Sequence, residues 1–332
     1  MSEFHQQLLK LQHAAVRDLA WCCFSPPLVR APNTYISSAL AQSSINNLIL
    51  PENTADTWMW LIELDRTPDY LLHHVAQLKS RRLGLYYEAL WQFYFSHCPG
   101  WELLAYGIQI NADGRTQGAF DFLCRYGDRY IHIETAVKFY LRRDDTTLDD
   151  CAWHHWLGPH SRDRLDIKLN HMLSHQLQLS QGEAAQGYLQ QQFPEAKYWE
   201  RTLCLQGYLF NTPQSNKPPQ HSNPDHAQGT WYRMQDFIQQ LKQSDCDAWL
   251  VLNRRHWLSP AQQRETSYII DRQELSALLQ QHFLISAQSK FETSKTKEPL
   301  LLAALFKFDD VWQETARVFV VPNSWPNHID SV

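Results

Sequence analysis

Two acidic residues, Asp121 and Glu134, lie in two β-prone runs on either side of the dipeptide Gly127-Asp128. A glycine-first dipeptide between such runs is typical of a two-residue hairpin turn. With that dipeptide as the turn, the register places the two carboxylates directly opposite each other. Facing side chains have Cβ atoms about 4.5–5.5 Å apart, and like charges at that spacing are destabilising. The sequence therefore predicts a close pair of carboxylates that requires compensation.

Two kinds of compensation are open for this pair. A divalent cation bridging the two carboxylates is one, because Mg²⁺ binds to oxygen ligands of this type. The other is structural: His132 or Arg125 neutralises the pair, or the pair faces solvent. Odd-numbered positions of the second run, 129–141, are nearly all apolar. Since strand side chains alternate, we expect one buried face and one face that carries Glu134 and Lys138.

A third carboxylate, Glu88, is the only formal charge in a segment, 83–95, that is apolar almost all round. A helix that is apolar on every side is usually buried. Burial of a carboxylate is costly unless the group is paired or bound to a metal. We therefore expect Glu88 either to form an ion pair with an arginine such as Arg81 or Arg142, or to contribute to a metal site.

A polar residue also falls on the apolar side of the helix predicted over 161–179. Leu165, Leu169, Met172 and Gln176 follow the spacing i, i+4, i+7, i+11, so they share one stripe. The Gln176 amide therefore points toward the sheet, where a buried amide needs partners. Either it makes a structural hydrogen bond, or it is a polar member of a site.

The predicted helices and strands that must position these residues are mixed along a chain of 332 residues. Hydrophobic residues make up 44%, charged residues 20%, and the net charge is −5. This excludes disordered and fibrous classes, and any nucleic-acid contact must come from a local patch. No apolar run approaches the ~18 residues of a membrane helix. The seven scattered cysteines form no C-x-x-C motif. Together these features predict a cytoplasmic protein without membrane contact.

Mixed strands and helices indicate an α/β protein. We predict an N-terminal helical cap over 1–80, a core over 81–211 and a flexible loop over 212–229 that is rich in Pro, Asn, Gln and His. A C-terminal α/β extension over 230–332 is expected to pack on the core.

The order of these polar residues along the chain resembles that of the PD-(D/E)XK nuclease superfamily. A carboxylate lies on an upstream helix, Asp and Glu follow on neighbouring strands, and a later helix carries an inward Gln. That resemblance implies a restriction-endonuclease-like mixed sheet flanked by helices and covers about residues 80–210. More narrowly, nearly the whole chain resembles the bacterial domain-of-unknown-function 1853 family. The segments that carry the narrower resemblance are Arg82–Glu88, Gly118–Leu123, His132–Tyr140, Gly158–Lys168 and Phe319–Pro322.

The resemblance implies a Mg²⁺ (or Mn²⁺) ion held by Asp121 and Glu134, with Glu88 and Gln176 as further catalytic residues. In such enzymes the metal activates water and a lysine polarises the nucleophile. The lysine of that superfamily lies two residues after the Glu, where this chain has Ala136. The next candidate on the same face is Lys138, about 13 Å along the strand from Glu134. A lysine from elsewhere, for example Lys168, is the alternative.

We therefore expect a Mg²⁺-dependent nuclease that hydrolyses phosphodiesters in nucleic acid, DNA rather than RNA. The alternative is a catalytically inactive module with the nuclease fold that binds nucleic acid or a protein partner. A third interpretation makes the polar set an internal salt-bridge network, in which loss of Glu88 costs a few kcal/mol of stability.

Overall fold

The structure, a computed structural model, describes residues 3–29, 45–47, 54–145, 152–215, 217–219, 221–284 and 298–326. Within these ranges the helices are α1 Glu3–Leu8, α2 Ala14–Phe24, α3 Thr54–Arg66, α4 Asp69–Ala76, α5 Leu83–His97, α6 Leu165–His171, α7 Glu183–Gln192, α8 Met234–Gln243 and α9 Arg272–Leu284. The strands are β1 Ile45–Asn47, β2 Trp101–Ala112, β3 Arg115–Tyr126, β4 Arg129–Arg142, β5 Trp156–Leu157, β6 Trp199–Asn211, β7 Ala227–Arg233, β8 Trp249–Leu252, β9 Gln262–Gln263, β10 Leu300–Phe308 and β11 Val311–Val321.

The described strands form one mixed sheet with the order β2-β3-β4-β6-β7-β11-β10-β8. Its middle strands, β4, β6, β7 and β11, run parallel to one another. Antiparallel pairs flank them, β2 and β3 on one side and β10 and β8 on the other. The predicted α/β class is therefore confirmed. Short strands β1, β5 and β9 pair with β6, β4 and β11.

Helices cover both faces of the middle strands. On one face, α2 and α5 pack an aromatic-rich core around Trp21, Trp91 and Phe95 against the sheet. On the other face, α6 and the turn after it pack a smaller apolar cluster that includes Leu169 and Leu205. Strand β6 is consequently buried on both faces along nearly all its length, as expected for a central strand of a parallel array.

Several predicted elements begin and end at different residues in the structure. The helix predicted over 161–179 begins at Leu165, because residues 158–163 form a turn in which Gly158 N–H donates to the Asp163 carbonyl. It continues past His171 as a π-helical turn, Met172–Gln176. The predicted N-terminal cap begins with two separate helices, α1 and α2.

In the described part of residues 230–332, the strands extend the same sheet. Strand β6 pairs in parallel with β7, with Tyr208 opposite Ala227, and β7 pairs with β11. Much of the predicted loop over 212–229 lies outside regular structure, and β7 begins at Ala227. Among the described residues, no helix combines the length and apolar character needed to span a bilayer.

Candidate active site

The β3–β4 hairpin has the predicted register over five residue pairs, from Tyr126 opposite Arg129 to Phe122 opposite Ile133. The ladder ends one pair before Asp121 and Glu134. There the side chains replace the backbone bonds: Asp121 Oδ2 accepts from the Thr135 N–H at 2.9 Å. In return, Glu134 Oε1 lies 3.4 Å from the Asp121 N–H. The two predicted carboxylates therefore lie together at the point where the strands separate.

Strand β2 also departs from the ladder at this point. Tyr106 pairs with Phe122 and Ile108 with Phe120, but the intervening Gly107, which stands opposite Asp121, is outside the paired register. Gly107 has φ +62°, in the left-handed region that favours glycine. Asp121 is therefore outside the paired register of both neighbouring strands, β2 and β4. At this position its carboxylate binds the Thr135 N–H of β4.

Glu134 is completely buried, with 0% of its surface exposed. Its Oε1 accepts from His132 Nε2 at 2.8 Å, and its Oε2 accepts from the Gln176 amide at 2.8 Å. The predicted inward direction of Gln176 is confirmed. A buried carboxylate with a donor on each oxygen is held in one orientation. Oε1 also accepts from the Asp121 N–H, so Oε2 is the oxygen that keeps a further lone pair for another ligand.

His132 is the structural partner of Glu134 and is equally buried. Since Nε2 donates to the carboxylate, the Nδ1 atom of the neutral ring accepts from the Ser180 hydroxyl at 3.3 Å. Burial lowers the pKa of His132 to about 3, with a smaller effect from nearby Arg201. His132 therefore orients the carboxylate as a neutral donor and does not cancel its charge, contrary to one of the alternatives considered from sequence.

The electrostatics of the carboxylate pair are unfavourable for two negative charges. Burial and then the charge of Glu134 raise the pKa of Asp121 to about 7. Burial raises the pKa of Glu134 to about 7 as well, and the hydrogen bonds that it accepts act in the opposite direction. Two groups that titrate near neutrality instead of near 4 mark a position where a cation would be stabilised.

Glu88 is solvent-exposed, so the prediction of a buried carboxylate on α5 is wrong. The helix is buried on its other sides, where Tyr87, Leu90 and Trp91 contribute to the core. Within the described residues Glu88 forms no ion pair with Arg81 or Arg142. Partial desolvation and the charge of Asp121 raise the pKa of Glu88 to about 7. Glu88 therefore lies near enough to Asp121 for the two charges to interact.

The lysine of the polar cluster is Lys168, which lies on helix α6 and not on strand β4. Lys168 Nζ donates to Gln176 Oε1 at 3.1 Å, and its charge lowers the pKa of Glu88, Asp121 and Glu134. Burial, followed by the charge of Lys138, lowers the pKa of Lys168 itself.

Lys138, the lysine expected from the strand, instead pairs with Asp163 Oδ2 at 2.5 Å. The Tyr140 hydroxyl also donates to Asp163, at 3.4 Å. Asp163 lies in the turn before α6, and no sequence pattern indicated this contact. Nor did any pattern indicate Ser180, whereas His132 was visible as a residue on the same strand face as Glu134.

The donor set suits a hard cation. Mg²⁺ in proteins is commonly held by one or two carboxylates, with waters and substrate phosphates completing the octahedron. Asp121 and Glu134 supply two such carboxylates with raised pKa, and a cation would relieve their repulsion. No group of three or more His, Cys, Asp or Glu side chains in the described part of the chain is arranged to hold a metal ion by itself. The residues fit a magnesium ion completed by waters or phosphate, and not a closed structural zinc site.

Fold and site together define a mixed α/β protein with a partly buried cluster of carboxylates, one amide and one lysine at the open end of a hairpin. The chain belongs to the family described as Domain of unknown function (DUF1853), whose model matches residues 17–321. No curated protein matches the chain, and no solved structure matches it either.

Proposed function

We propose that the protein is a metal-dependent phosphodiesterase that cleaves nucleic acid, with a restriction-endonuclease-like core. The observation that carries the proposal is that Lys168, Gln176, Glu134 and Asp121 form one connected polar cluster. Phosphodiester hydrolysis at a site of this kind requires two carboxylates and one lysine, and the cluster contains these groups.

Asp121 and Glu134 would hold the Mg²⁺ (or Mn²⁺) ion, which supplies an activated water and stabilises charge on the phosphate. Gln176 keeps Glu134 in place through its amide, and Lys168 in turn holds the Gln176 carbonyl oxygen. Lys168 is thus the candidate for stabilising negative charge on the reacting phosphate. Lys138 would act as a positioning residue through Asp163.

Cleavage assays test this proposal directly. Wild type would be incubated with supercoiled plasmid, linear duplex DNA, single-stranded DNA and RNA, each with Mg²⁺, Mn²⁺ or a chelator. We expect metal-dependent cleavage of DNA in preference to RNA, which disappears in Asp121→Asn and persists in the hairpin-turn control Asp128→Asn. Activity unchanged in Asp121→Asn would show that the cleavage comes from elsewhere and would overturn the assignment.

A second candidate function is an inactive nuclease-fold module that binds nucleic acid or a protein partner. Ala136 occupies the usual lysine position and Lys138 is engaged by Asp163, which favours this reading. It predicts no turnover of any nucleic acid, together with binding that persists in chelator and in Asp121→Asn. Gel-shift titrations of wild type and variant with the same nucleic acids distinguish the two candidates.

A further inference from the structure

The loop between α4 and α5, residues 77–82, places three basic side chains on the surface. Lys79, Arg81 and Arg82 are exposed, and the loop contains no acidic residue. Among the described residues, none of the three forms an ion pair. The whole chain has a net charge of −5, so this positive charge is a local feature. Like charges gathered on a surface repel one another, and this part of the molecule therefore favours an anionic partner.

The 3₁₀ turn that begins at Arg254 joins this loop to a second group of basic side chains. Arg255 Nη2 donates to the Ser80 carbonyl at 2.8 Å, and Arg254 Nη2 donates to His160 Nε2 at 3.0 Å. Arg162 is exposed and forms no ion pair within the described ranges. Burial, followed by the charges of Arg254 and Arg162, lowers the pKa of His160. Arg254 and Arg162 therefore lie near each other around this histidine.

Arg254 has an acidic partner, but the pair is exposed. Its Nη2 lies 3.2 Å from Glu298 Oε2, and 46% and 67% of the two side chains are exposed. Exposed ion pairs are weak, so a phosphate group can compete for the guanidinium. The exposed cations of the two groups together are called the basic ridge: Lys79, Arg81, Arg82, Arg162 and Arg254.

One end of the ridge adjoins the carboxylate cluster through α5. Glu88 lies six residues after Arg82, which is about 9 Å along a helix axis. Gly84, one turn before Glu88, is exposed, and outside its own helix no described heavy atom lies within 4 Å of the position that a Cβ would take. The charges of Glu88 and Asp121 interact in turn. Successive nucleotides of a duplex strand are about 3.4 Å apart along the axis, so a backbone along α5 would span about three nucleotides between Glu88 and Arg82.

The other end of the ridge adjoins the two lysines near the site. Asp163, next to Arg162 in the turn before α6, pairs with Lys138 at 2.5 Å. Burial, followed by the charge of Lys138, lowers the pKa of Lys168, which places these two cations within electrostatic reach of each other. Basic side chains therefore flank the carboxylate cluster both from the α5 side and from the α6 side.

The composition of the ridge suits the backbone of a duplex. Lysine and arginine contacts to phosphates supply the affinity of proteins for DNA that is independent of sequence. Proteins that bind single strands also present aromatic rings on which the bases stack. The exposed tyrosines and phenylalanines of the described chain lie outside the ridge: Tyr70, Tyr106, Tyr198, Tyr268, Phe306 and Phe308. The ridge thus offers positive charge without a stacking platform.

We propose that the basic ridge binds the phosphate backbone of double-stranded DNA on the flanks of the scissile phosphate. This inference rests on the proposed function for the choice of nucleic acid, and it adds the duplex as the form of the substrate. It does not require cleavage, because the ridge contains none of the carboxylates, nor Gln176 or Lys168.

Fluorescence-anisotropy titration in chelator measures binding without cleavage. The probes are a labelled DNA duplex and its separate single strand, each titrated with the full chain over a series of NaCl concentrations. Arg81→Gln combined with Arg82→Gln is the informative variant. Lys10→Gln combined with Lys197→Gln removes the same charge at two exposed positions outside the ridge and is the matched control.

We expect wild type to bind the duplex more tightly than the single strand. The ridge variant should bind the duplex about tenfold or more weakly than the control does at low salt. Its plot of log K against log salt should be shallower by about 2, because each phosphate contact contributes about 0.9 to the slope. Arg162→Gln, from the other end of the ridge, should make the slope shallower by about 1.

The outcomes separate this inference from the proposed function. Duplex binding that depends on the ridge, in a chain that cleaves nothing in Mg²⁺, would support the ridge and remove the nuclease. Equal affinity and equal slope in the two double variants would overturn the ridge, even if wild type cleaves DNA. Binding of the single strand as tightly as the duplex, or no duplex binding by wild type at low salt, would overturn it as well.

Discussion

Asp121 and Glu134 each accept a hydrogen bond from the main chain of the opposite strand. Asp121 Oδ2 binds the Thr135 N–H at 2.9 Å, and Glu134 Oε1 lies 3.4 Å from the Asp121 N–H. Two carboxylates thereby replace the backbone ladder of the hairpin where it would otherwise continue. The exchange fixes both side chains on one side of the sheet, although their charges repel.

Neutralising one carboxylate should stabilise the metal-free protein. Asp121→Asn keeps an oxygen that accepts from the Thr135 N–H but removes the repulsion, so we expect a gain on the order of 1 kcal/mol in unfolding free energy. Wild type should gain stability on addition of Mg²⁺, because ligands of the native state stabilise it, whereas Asp121→Asn should not. Urea unfolding with and without Mg²⁺ measures both effects. A variant less stable than wild type in chelator would contradict the repulsion argument.

Stability and metal affinity should change with pH in opposite directions. Asp121 and Glu134 have pKa values of about 7 in the folded chain against about 4 when unfolded. The folded state therefore binds their protons more tightly, and this contribution is fully present below about pH 4 and lost as pH rises through about 7. Metal binding requires deprotonated carboxylates, so Mg²⁺ affinity should rise over the same range.

Chemical unfolding in chelator at a series of pH values, together with Mg²⁺ titrations by calorimetry, tests this prediction. The double variant Asp121→Asn, Glu134→Gln should show a flatter stability profile than wild type. A wild-type profile that rises from pH 5 to 7 with the same slope as the double variant would be incompatible with raised pKa values at these two positions.

The two lysines near the site should differ in their importance for cleavage. Lys168→Met removes the charge that lowers the pKa of all three carboxylates, so we expect a loss of about 10²-fold or more in kcat. Lys138→Met removes an ion pair with Asp163 that is one-third exposed, and we expect less than about tenfold. Steady-state cleavage rates of the two variants, each checked for folding, decide the order. The reverse order would assign the catalytic role to Lys138.

His132 should act on the metal through Glu134. His132→Gln places an amide near the former Nε2 position and retains a donor to Glu134, whereas His132→Phe leaves Oε1 without that donor. Loss of a residue that orients a metal ligand typically costs about 10–100-fold in metal affinity, which we expect for His132→Phe and only partly for His132→Gln. Calorimetric Mg²⁺ titration measures the difference. Equal losses in both variants would indicate that His132 contributes bulk alone.

Sequence reasoning located the hairpin site because its determinants are local. The Gly127-Asp128 turn and the alternation of β4 together specify which residues face each other, and the structure has that register up to Phe122 and Ile133. The helical stripe that ends at Gln176 likewise predicted a contact, and that contact proved to be with Glu134.

The sequence by itself determined the α/β class, the pairing of Asp121 with Glu134 and the inward direction of Gln176, since each follows from the period of one or two adjacent elements. Tertiary structure alone decided that Lys168 and not Lys138 joins the polar cluster, through Gln176, and that Glu88 is exposed. The physical reason is that periodicity specifies the face on which a side chain lies. What covers that face depends on the packing of elements that are distant in the chain.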